Sequence, residues 1–410
     1  MPISAGAASH VVVASSGRAS YHAIMTIPKA LGRAIRFAGR LDTSHGLTAL
    51  FAARANRLRA ELPLVDLSIL NPTLAGIEYP DGEIRDAIAR AAGARYEPEP
   101  FGSMPARSAV AEDFARRGIS IDPARICLAA STSDALAQLF KLLADPGDVV
   151  LVPRPGYPLL DILAPLDGLR VGSYAVEDDG AWVLPSPPPE CRVVLAMAPH
   201  MPGGTLPTRE SLERLSRFCH ASGAALIIDE VFADYADSGI GSAATMAPLV
   251  FRLGGLSKTA GLPGVKLGWI AAEGNPVVVR DALERLEHIA DAYLSVNQIA
   301  MSALPDLLSL APCIRANISS RIRENLATLS ESSIGKILRS TGASWTAVIE
   351  VDDDEQVAAA LLDRGWWVHP GYLYDYSEPR IVVSLLTPAD PFRDALPAIE
   401  EATGCITRSR

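Results

Sequence analysis

Short runs of apolar residues that do not alternate with polar ones recur through the middle of the chain. The clearest are Val149–Val152, Val193–Met197, Ala224–Ile228 and Val250–Leu253. A strand with one solvated face alternates apolar and polar side chains, whereas continuous runs are typical of parallel strands covered by helices on both faces. Segments that favour helix lie between the runs, among them Asp134–Leu143 and Arg209–Ala221. This order predicts an α/β fold with a mostly parallel central sheet flanked by helices.

A second, smaller α+β domain is expected towards the end of the chain. After about residue 310, helix is followed by short apolar segments at Ser344–Val351, Trp366–His369 and Arg380–Leu386. We therefore expect residues 76–300 to form the large domain and residues 41–75 with 301–410 to form the small one. Residues 1–40 favour an N-terminal arm, because a loose Ala/Ser-rich start is followed by the amphipathic stretch Lys29–Arg40.

Charge and cysteine usage exclude several classes of protein. The chain has 37 Lys+Arg against 47 Asp+Glu, a net charge of −10, with no long basic run, so no nucleic-acid surface is expected. The apolar runs are too short to span a bilayer, and the first 20 residues lack the pattern of a secretory signal. The 5 cysteines are widely spaced without a CxxC pair, which favours reduced, mostly buried thiols in a cytoplasmic protein. No metal site is predicted.

Two candidate functional groups directly follow apolar runs, where the strands of an open parallel sheet end and ligands bind. Asp229 follows Ala225–Ile228 and could hold a protonated ring nitrogen, or could simply cap the next turn. Lys258 follows the Gly-rich bend after Val250–Leu253. In a cleft, desolvation would lower its pKa and suit it to form a Schiff base, but alone it could equally be a surface lysine in a loop.

A third candidate is the segment Ser131, Thr132 and Ser133, which lies between a strand and a helix. Hydroxyls and free N–H groups at a helix N-terminus bind phosphate, although Thr132 or Ser133 could instead be a plain N-cap. An anion cradle, a carboxylate for a ring nitrogen and an imine-forming lysine are together the requirements of pyridoxal phosphate.

From about Asp66 to Leu386 the sequence resembles the class I/II aminotransferases, fold type I enzymes of the aspartate aminotransferase superfamily. The stretch from Ser257 to Trp269 is similar to the family's Schiff-base segment, the most specific of its motifs. The resemblance implies that Lys258 is the catalytic residue that holds the cofactor as an aldimine. It implies these cofactor-binding residues: Ser131, Thr132, Ser133, Tyr157, Asp229, Phe232, Ser257, Lys258 and Lys266. It further implies a homodimer with a shared active site, in which Tyr96 reaches the partner's cofactor phosphate, and that Arg380 grips the substrate carboxylate.

Four positions depart from the family's pattern. Met201 replaces the asparagine, and Phe232 a frequent tyrosine, that donate to the cofactor's ring oxygen. Lys266 stands where an arginine usually binds phosphate, and Gly255 replaces a frequent serine. His200 could substitute as a donor, but we expect a solvent-facing loop histidine.

The resemblance therefore implies an aminotransferase that acts on an α-amino acid and a 2-oxo acid. The departures keep open a pyridoxal-phosphate lyase, decarboxylase or cyclising enzyme of the same fold. A non-catalytic binding relative is the third alternative.

Overall fold

The computed structural model describes residues 38–40, 48–236 and 246–405. Most of the predicted arm at 1–40, with all but the last three residues of Lys29–Arg40, lies outside the described residues. The helices are α1 (Ala49–Arg59), α2 (Asp81–Ala91), α3 (Met104–Arg116), α4 (Thr132–Leu143), α5 (Leu160–Leu166), α6 (Arg209–Ser222), α7 (Leu256–Thr259), α8 (Pro276–Tyr293), α9 (Gln298–Ser330), α10 (Asp354–Asp363) and α11 (Ala389–Ala402). The strands are β1 (Val65–Asp66), β2 (Ile126–Ala129), β3 (Val149–Arg154), β4 (Arg170–Val176), β5 (Trp182–Val183), β6 (Cys191–Met197), β7 (Ala225–Asp229), β8 (Leu249–Gly255), β9 (Gly268–Gly274), β10 (Thr346–Glu350), β11 (Trp366–Trp367), β12 (His369–Pro370) and β13 (Arg380–Ser384).

The central sheet has eight strands in the order β2-β9-β8-β7-β6-β3-β4-β5. The inner pairs β8–β7, β7–β6, β6–β3 and β3–β4 are parallel. Strand β9 runs antiparallel to both β8 and β2, so β2 ends at the same edge as β8, and β9 begins there. The predicted mostly parallel α/β sheet is therefore confirmed.

Both faces of this sheet are covered, as the unbroken apolar runs predict. In β6, Val193 and Leu195 belong to the larger core cluster, whereas Val194 and Ala196 belong to a second cluster on the opposite face. Successive side chains of a strand point to opposite faces, so a strand buried on both must be apolar throughout.

Two small sheets lie outside the central one. Strand β13 pairs antiparallel with both β10 and β12, and β1 pairs parallel with β11, which joins residues 65–66 to residues 366–367. Helix α9 packs against α2 and α3 on one side of the predicted domain division and against α11 on the other. The boundaries at residues 75 and 300 therefore stay a prediction.

Helix α9 differs from the expectation that every apolar segment is too short to span a bilayer. By length and composition alone, its 33 residues are long and apolar enough, and it is the one such helix in the described residues. Half of its most apolar window is buried against other helices, an arrangement that core helices also show. Its apolar residues are spread along a helical face and so form no long continuous apolar run in the sequence.

Each cysteine lies in the described residues and is free. Cys127, Cys191 and Cys219 are buried, Cys405 is half-buried and Cys313 is exposed. The expectation of mostly buried thiols therefore matches three of the five.

Candidate active site

The candidate groups lie at one edge of the central sheet. Strand β7 ends with Asp229, and β8 leads directly into the short helix α7 that carries Lys258. Strand β2 leads into Ser131 and α4, and β3 into the segment with Tyr157. Because these strands run in the same direction, their carboxyl ends bring the four groups to one edge, as the sequence predicts.

The amine of Lys258 lies in an aromatic pocket beside Asp229. Its Nζ is 4.5 Å from the centre of the Trp345 ring and 5.6 Å from that of Phe232. Burial lowers the pKa of Lys258 to about 8, against an opposing attraction from Asp229. Burial also raises the pKa of Asp229 to about 6, although Lys258 and the N–H of Val231 favour its charged form. Lys258 is therefore not a surface lysine in a loop.

The structure of Asp229 is compatible with both of its predicted roles, the cap of the next turn and the partner of a ring nitrogen. One carboxylate oxygen, Oδ1, accepts a hydrogen bond of 3.1 Å from the N–H of Val231, so the residue does cap the next turn. The second oxygen is not needed for that cap and leaves the carboxylate able to accept from a ligand.

Three polar side chains that the sequence did not single out hold the backbone around Lys258. Tyr235 donates its hydroxyl to the carbonyl of Lys258 at 2.9 Å, and Arg315 donates to the carbonyl of Thr259 at 2.9 Å. Tyr79 donates to the carbonyl of Gly261 at 2.8 Å. These residues come from distant parts of the chain, so no local pattern could have identified them.

The start of α4 differs from the predicted cap. Ser131, not Thr132 or Ser133, is the N-cap, and its hydroxyl accepts a hydrogen bond from the N–H of Asp134 at 3.1 Å. The hydroxyls of Thr132 and Ser133 therefore remain in the first turn, where free N–H groups favour an anion.

Strand β9 begins against this turn, and the backbones approach each other closely there. A Cβ on Gly268 would lie 3.1 Å from the carbonyl carbon of Ser131. A Cβ on Gly255, where the family often has serine, would lie 3.2 Å from the Cα of Gly268. Lys266, at a left-handed φ of 60°, is exposed just before β9, and Ser257 is half-buried in α7.

The expectation of a solvent-facing His200 is wrong. Its side chain is buried, and burial lowers its pKa to about 4, so the imidazole is neutral at physiological pH. It hydrogen-bonds the backbone of Pro155, whereas its buried Nε2 has no partner in the described part of the chain. The bond therefore uses Nδ1–H, which leaves Nε2 as an acceptor rather than a donor.

Met201 also lies buried, and its loop is tied to the small sheet. The carbonyl of Pro202 accepts hydrogen bonds from the hydroxyls of Thr346, at 2.6 Å, and Ser344, at 3.0 Å. These bonds flank Trp345, so the same contacts fix the loop after β6 and the aromatic wall beside Lys258.

Tyr157 is half-buried, and burial, followed by the charge of Asp229, raises its pKa. The preceding Gly156 donates its N–H to the carbonyl of Tyr374 at 2.8 Å. The ring is thus held at the sheet edge next to the small-sheet segment.

Arg380 is buried in the middle strand of the three-stranded sheet, so it is not a rim arginine on an edge strand. Its Nη2 lies 2.9 Å from Asp178 Oδ2 and 3.7 Å from Glu350 Oε1. Its guanidinium carbon lies 5.1 Å from the centre of the Tyr376 ring. The sequence predicted the arginine but not this acidic neighbour.

Tyr96 stands apart from the other candidate residues. It lies in the loop between α2 and α3 with 60% of its side chain exposed. Within one chain, the structure does not bring it to Lys258.

Comparisons with known proteins agree with this architecture. The sequence profile of aminotransferase class I and II matches residues 65–390. Glutamate-pyruvate aminotransferase AlaA of Escherichia coli is 26% identical over 266 residues, which are 62% of this chain and 66% of that protein. S-alkyl-thiohydroximate lyase SUR1 of Arabidopsis thaliana is 29% identical over 250 residues, 57% of this chain and 53% of that protein.

The fold is likewise similar to solved structures. Alanine aminotransferase from Pyrococcus furiosus superimposes with a TM-score of 0.76 at 18% identity, covering 87% of this chain and 96% of that one. The aligned part spans just under two thirds of the Escherichia coli relative and about half of the Arabidopsis one. Because the profile covers most of the sequence, the chain belongs to the aminotransferase class I and II family, whose members are pyridoxal-phosphate-dependent enzymes with the aspartate aminotransferase fold.

Proposed function

We propose that this chain is a pyridoxal-phosphate-dependent aminotransferase that moves an amino group between an α-amino acid and a 2-oxo acid. The observation that carries the proposal is the facing pair of Lys258 and Asp229 in one apolar pocket at the carboxyl edge of the sheet. Burying an amine and a carboxylate costs free energy, and paired ionisable groups with perturbed pKa values are typical of functional sites.

The donor set fits the cofactor. The amine of Lys258 suits the cofactor's aldehyde, and the free carboxylate oxygen of Asp229 suits its pyridine nitrogen. The hydroxyls in the first turn of α4, with Lys266 nearby, suit its phosphate. When bound, the cofactor supplies an electron-accepting ring conjugated to the substrate nitrogen. The residues proposed to hold its phosphate are Ser131, Thr132, Ser133, Ser257 and Lys266. Tyr157 and Phe232 are proposed to pack on its ring, and Asp229 to hold the ring nitrogen protonated.

Lys258 is proposed both to bind the cofactor covalently and to move the substrate proton. With a pKa of about 8, roughly a tenth of the free amine is unprotonated at pH 7, enough for the side chain to act as a base. Tyr235 and Arg315 fix the backbone from which the amine acts. Arg380 is proposed to bind the substrate's α-carboxylate, because a guanidinium can pair with both carboxylate oxygens.

The assembly and the compartment are part of the same proposal. We infer a cytoplasmic homodimer in which Tyr96 contacts the cofactor phosphate of the neighbouring subunit. The exposure of Tyr96 in a single chain fits a residue that acts across a subunit boundary. Light scattering at working concentration, combined with cofactor retention of Tyr96→Phe, tests both parts.

The reaction is tested by a screen of amino donors with pyruvate or 2-oxoglutarate as acceptor. We expect amino transfer by the wild type and none by Lys258→Ala. Borohydride reduction of the loaded enzyme should place the pyridoxyl group on the peptide with Lys258. Recovery of the label on Lys266, or no label after reconstitution, would contradict the assignment.

A lyase of the same fold is the second candidate, because Met201 and Phe232 supply no donor for the ring oxygen and one relative bears a lyase name. Product analysis separates the two: a lyase releases a fragment of the amino donor without consuming the 2-oxo acid. A non-catalytic binding relative would yield neither product, although a reconstitution spectrum could still show bound cofactor.

A further inference from the structure

The hairpin after β4 places a carboxylate at the same edge of the sheet as the candidate active site. Strand β4 is parallel to β3 and ends at Val176, two residues before Asp178. The carboxylate of Asp178 is 43% exposed, and its Oδ2 lies 2.9 Å from Nη2 of Arg380, whose side chain is only 10% exposed. A partly solvated carboxylate thus reaches the buried arginine that we propose for the substrate.

The hairpin that carries Asp178 is firmly held. The N–H of Glu177 donates to the carbonyl of Ala181 at 2.9 Å, and the N–H of Thr208 donates to the carbonyl of Gly180 at 3.0 Å. The hydroxyl of Ser211 also donates to the carbonyl of Gly180, at 3.1 Å. Asp178 is therefore presented to Arg380 by ordered backbone.

Asp178 contacts the guanidinium of Arg380 at Nη2, the nitrogen that takes part in both ways of binding a carboxylate. A guanidinium can grip a carboxylate with two parallel N–H groups in two ways, through Nη1 with Nη2 or through Nε with Nη2, and both use Nη2. The Nε and Nη1 atoms of Arg380 are buried without a hydrogen-bond partner among the described residues. Asp178 therefore contacts the nitrogen that both forks share and leaves Nε and Nη1 unsatisfied, at a cost in free energy.

The second carboxylate near Arg380 is already engaged elsewhere. Glu350 accepts hydrogen bonds from Arg339 at 3.1 Å and 2.6 Å, one to each oxygen, and lies 3.7 Å from Arg380. Asp178 is therefore the nearer competitor for the guanidinium.

We propose that Asp178 competes with the substrate's α-carboxylate for Arg380 and so sets how tightly the site binds carboxylates. The inference rests on the proposed function, since it takes Arg380 as the group that binds the substrate. A ligand carboxylate that pairs with two nitrogens displaces Asp178, which pairs with one and can turn its exposed side chain into water.

The test measures binding of propionate to the holoenzyme by isothermal titration calorimetry. Propionate carries the carboxylate but has no amine to react, and the uncharged propionamide controls for apolar binding. Asp178→Asn keeps the size of the side chain and removes its charge, so the Kd for propionate should fall by roughly 3- to 10-fold. The Kd for propionamide should not change.

Asp179→Asn is the matched control. Asp179 lies next to Asp178 and accepts a hydrogen bond from the N–H of Ala181 at 2.9 Å, so its substitution perturbs the same hairpin. This variant should leave the Kd for propionate unchanged, and Arg380→Gln should abolish the binding of propionate.

An unchanged or higher Kd in Asp178→Asn would overturn the proposal, because the carboxylate would then merely position Arg380. Failure of the proposed function looks different. The wild type would transfer no amino group, whatever the effect of Asp178→Asn on propionate.

Discussion

The amine of Lys258 should titrate far below an ordinary lysine once the cofactor is removed. Burial lowers its pKa from 10.5 to about 8, which raises the unprotonated fraction at pH 7 about 300-fold. The charge of Asp229 acts in the opposite direction, because a carboxylate favours the ammonium form. Asp229→Asn should therefore lower the pKa of Lys258 below 8.

Competitive labelling of the cofactor-free enzyme with acetic anhydride, read by mass spectrometry, measures this titration on the Lys258 peptide. The reaction of N-acetyl-lysine amide in the same tube provides the reference curve for an unperturbed amine. We expect the midpoint for Lys258 near pH 8 in the wild type and at lower pH in Asp229→Asn. Trp345→Leu removes a ring face that favours the ammonium form and should also lower the midpoint.

A midpoint near that of the reference amine would show that the pocket is solvated and that burial does not control the lysine. A midpoint that rises in Asp229→Asn would refute the assigned sign of the coupling. In either case the facing pair would no longer support the proposed chemistry.

Two further predictions concern stability. Arg315→Met should lower the free energy of unfolding, measured in urea titrations, by about 3 kcal/mol, because it leaves the buried Asp234 with one cation fewer. A loss below about 1 kcal/mol would contradict this expectation. Arg315→Lys, which keeps the positive charge, is the control. Stability should also fall as the pH drops from 6.5 to 4. Burial holds the pKa values of His200 and His369 at about 4, so the unfolded chain binds more protons in that window. Asp229, with its pKa raised to about 6, opposes the trend between pH 6 and 3.8, and a thermal midpoint that rises on acidification would show that it dominates.

The central sheet could be predicted from the sequence because the apolar pattern of each β-strand indicates which of its faces are buried. Val193–Met197 is apolar at every position, and both faces of β6 are buried. The positions of Asp229 and Lys258 followed from the same pattern, since Asp229 comes directly after such a run and Lys258 follows the Gly-rich bend after another. Helix α9 was not recognised at full length, because its apolar face emerges only at helical spacing and Pro305 and Pro312 lie within it.

The surroundings of the site could not be predicted in the same way. Trp345, Arg315 and Asp178 reach the site from strands, helices and hairpins far apart in sequence, and their local patterns are those of ordinary core or surface residues. His200 is buried, whereas its sequence position predicts exposure, because a loop position close to proline and glycine is typical of exposed chain. Its side chain hydrogen-bonds the backbone of Pro155, and its loop is tied to the small sheet by the hydrogen bond from Thr346 to the Pro202 carbonyl, neither of which a local pattern reveals.

Phe232, one of the departures from the family's pattern, lies with Trp345 around the amine of Lys258. Phe232 and Trp345 are buried and face the amine of Lys258, and neither offers it a charge or a strong acceptor. Burial lowers the pKa of Lys258 to about 8 and raises that of Asp229 to about 6. The difference between the pKa values of Lys258 and Asp229 thus narrows from 6.7, which separates the ordinary values of 10.5 and 3.8, to about 2. Burial therefore brings the pKa values of both side chains towards neutral pH, where each can gain or lose a proton at little cost in free energy.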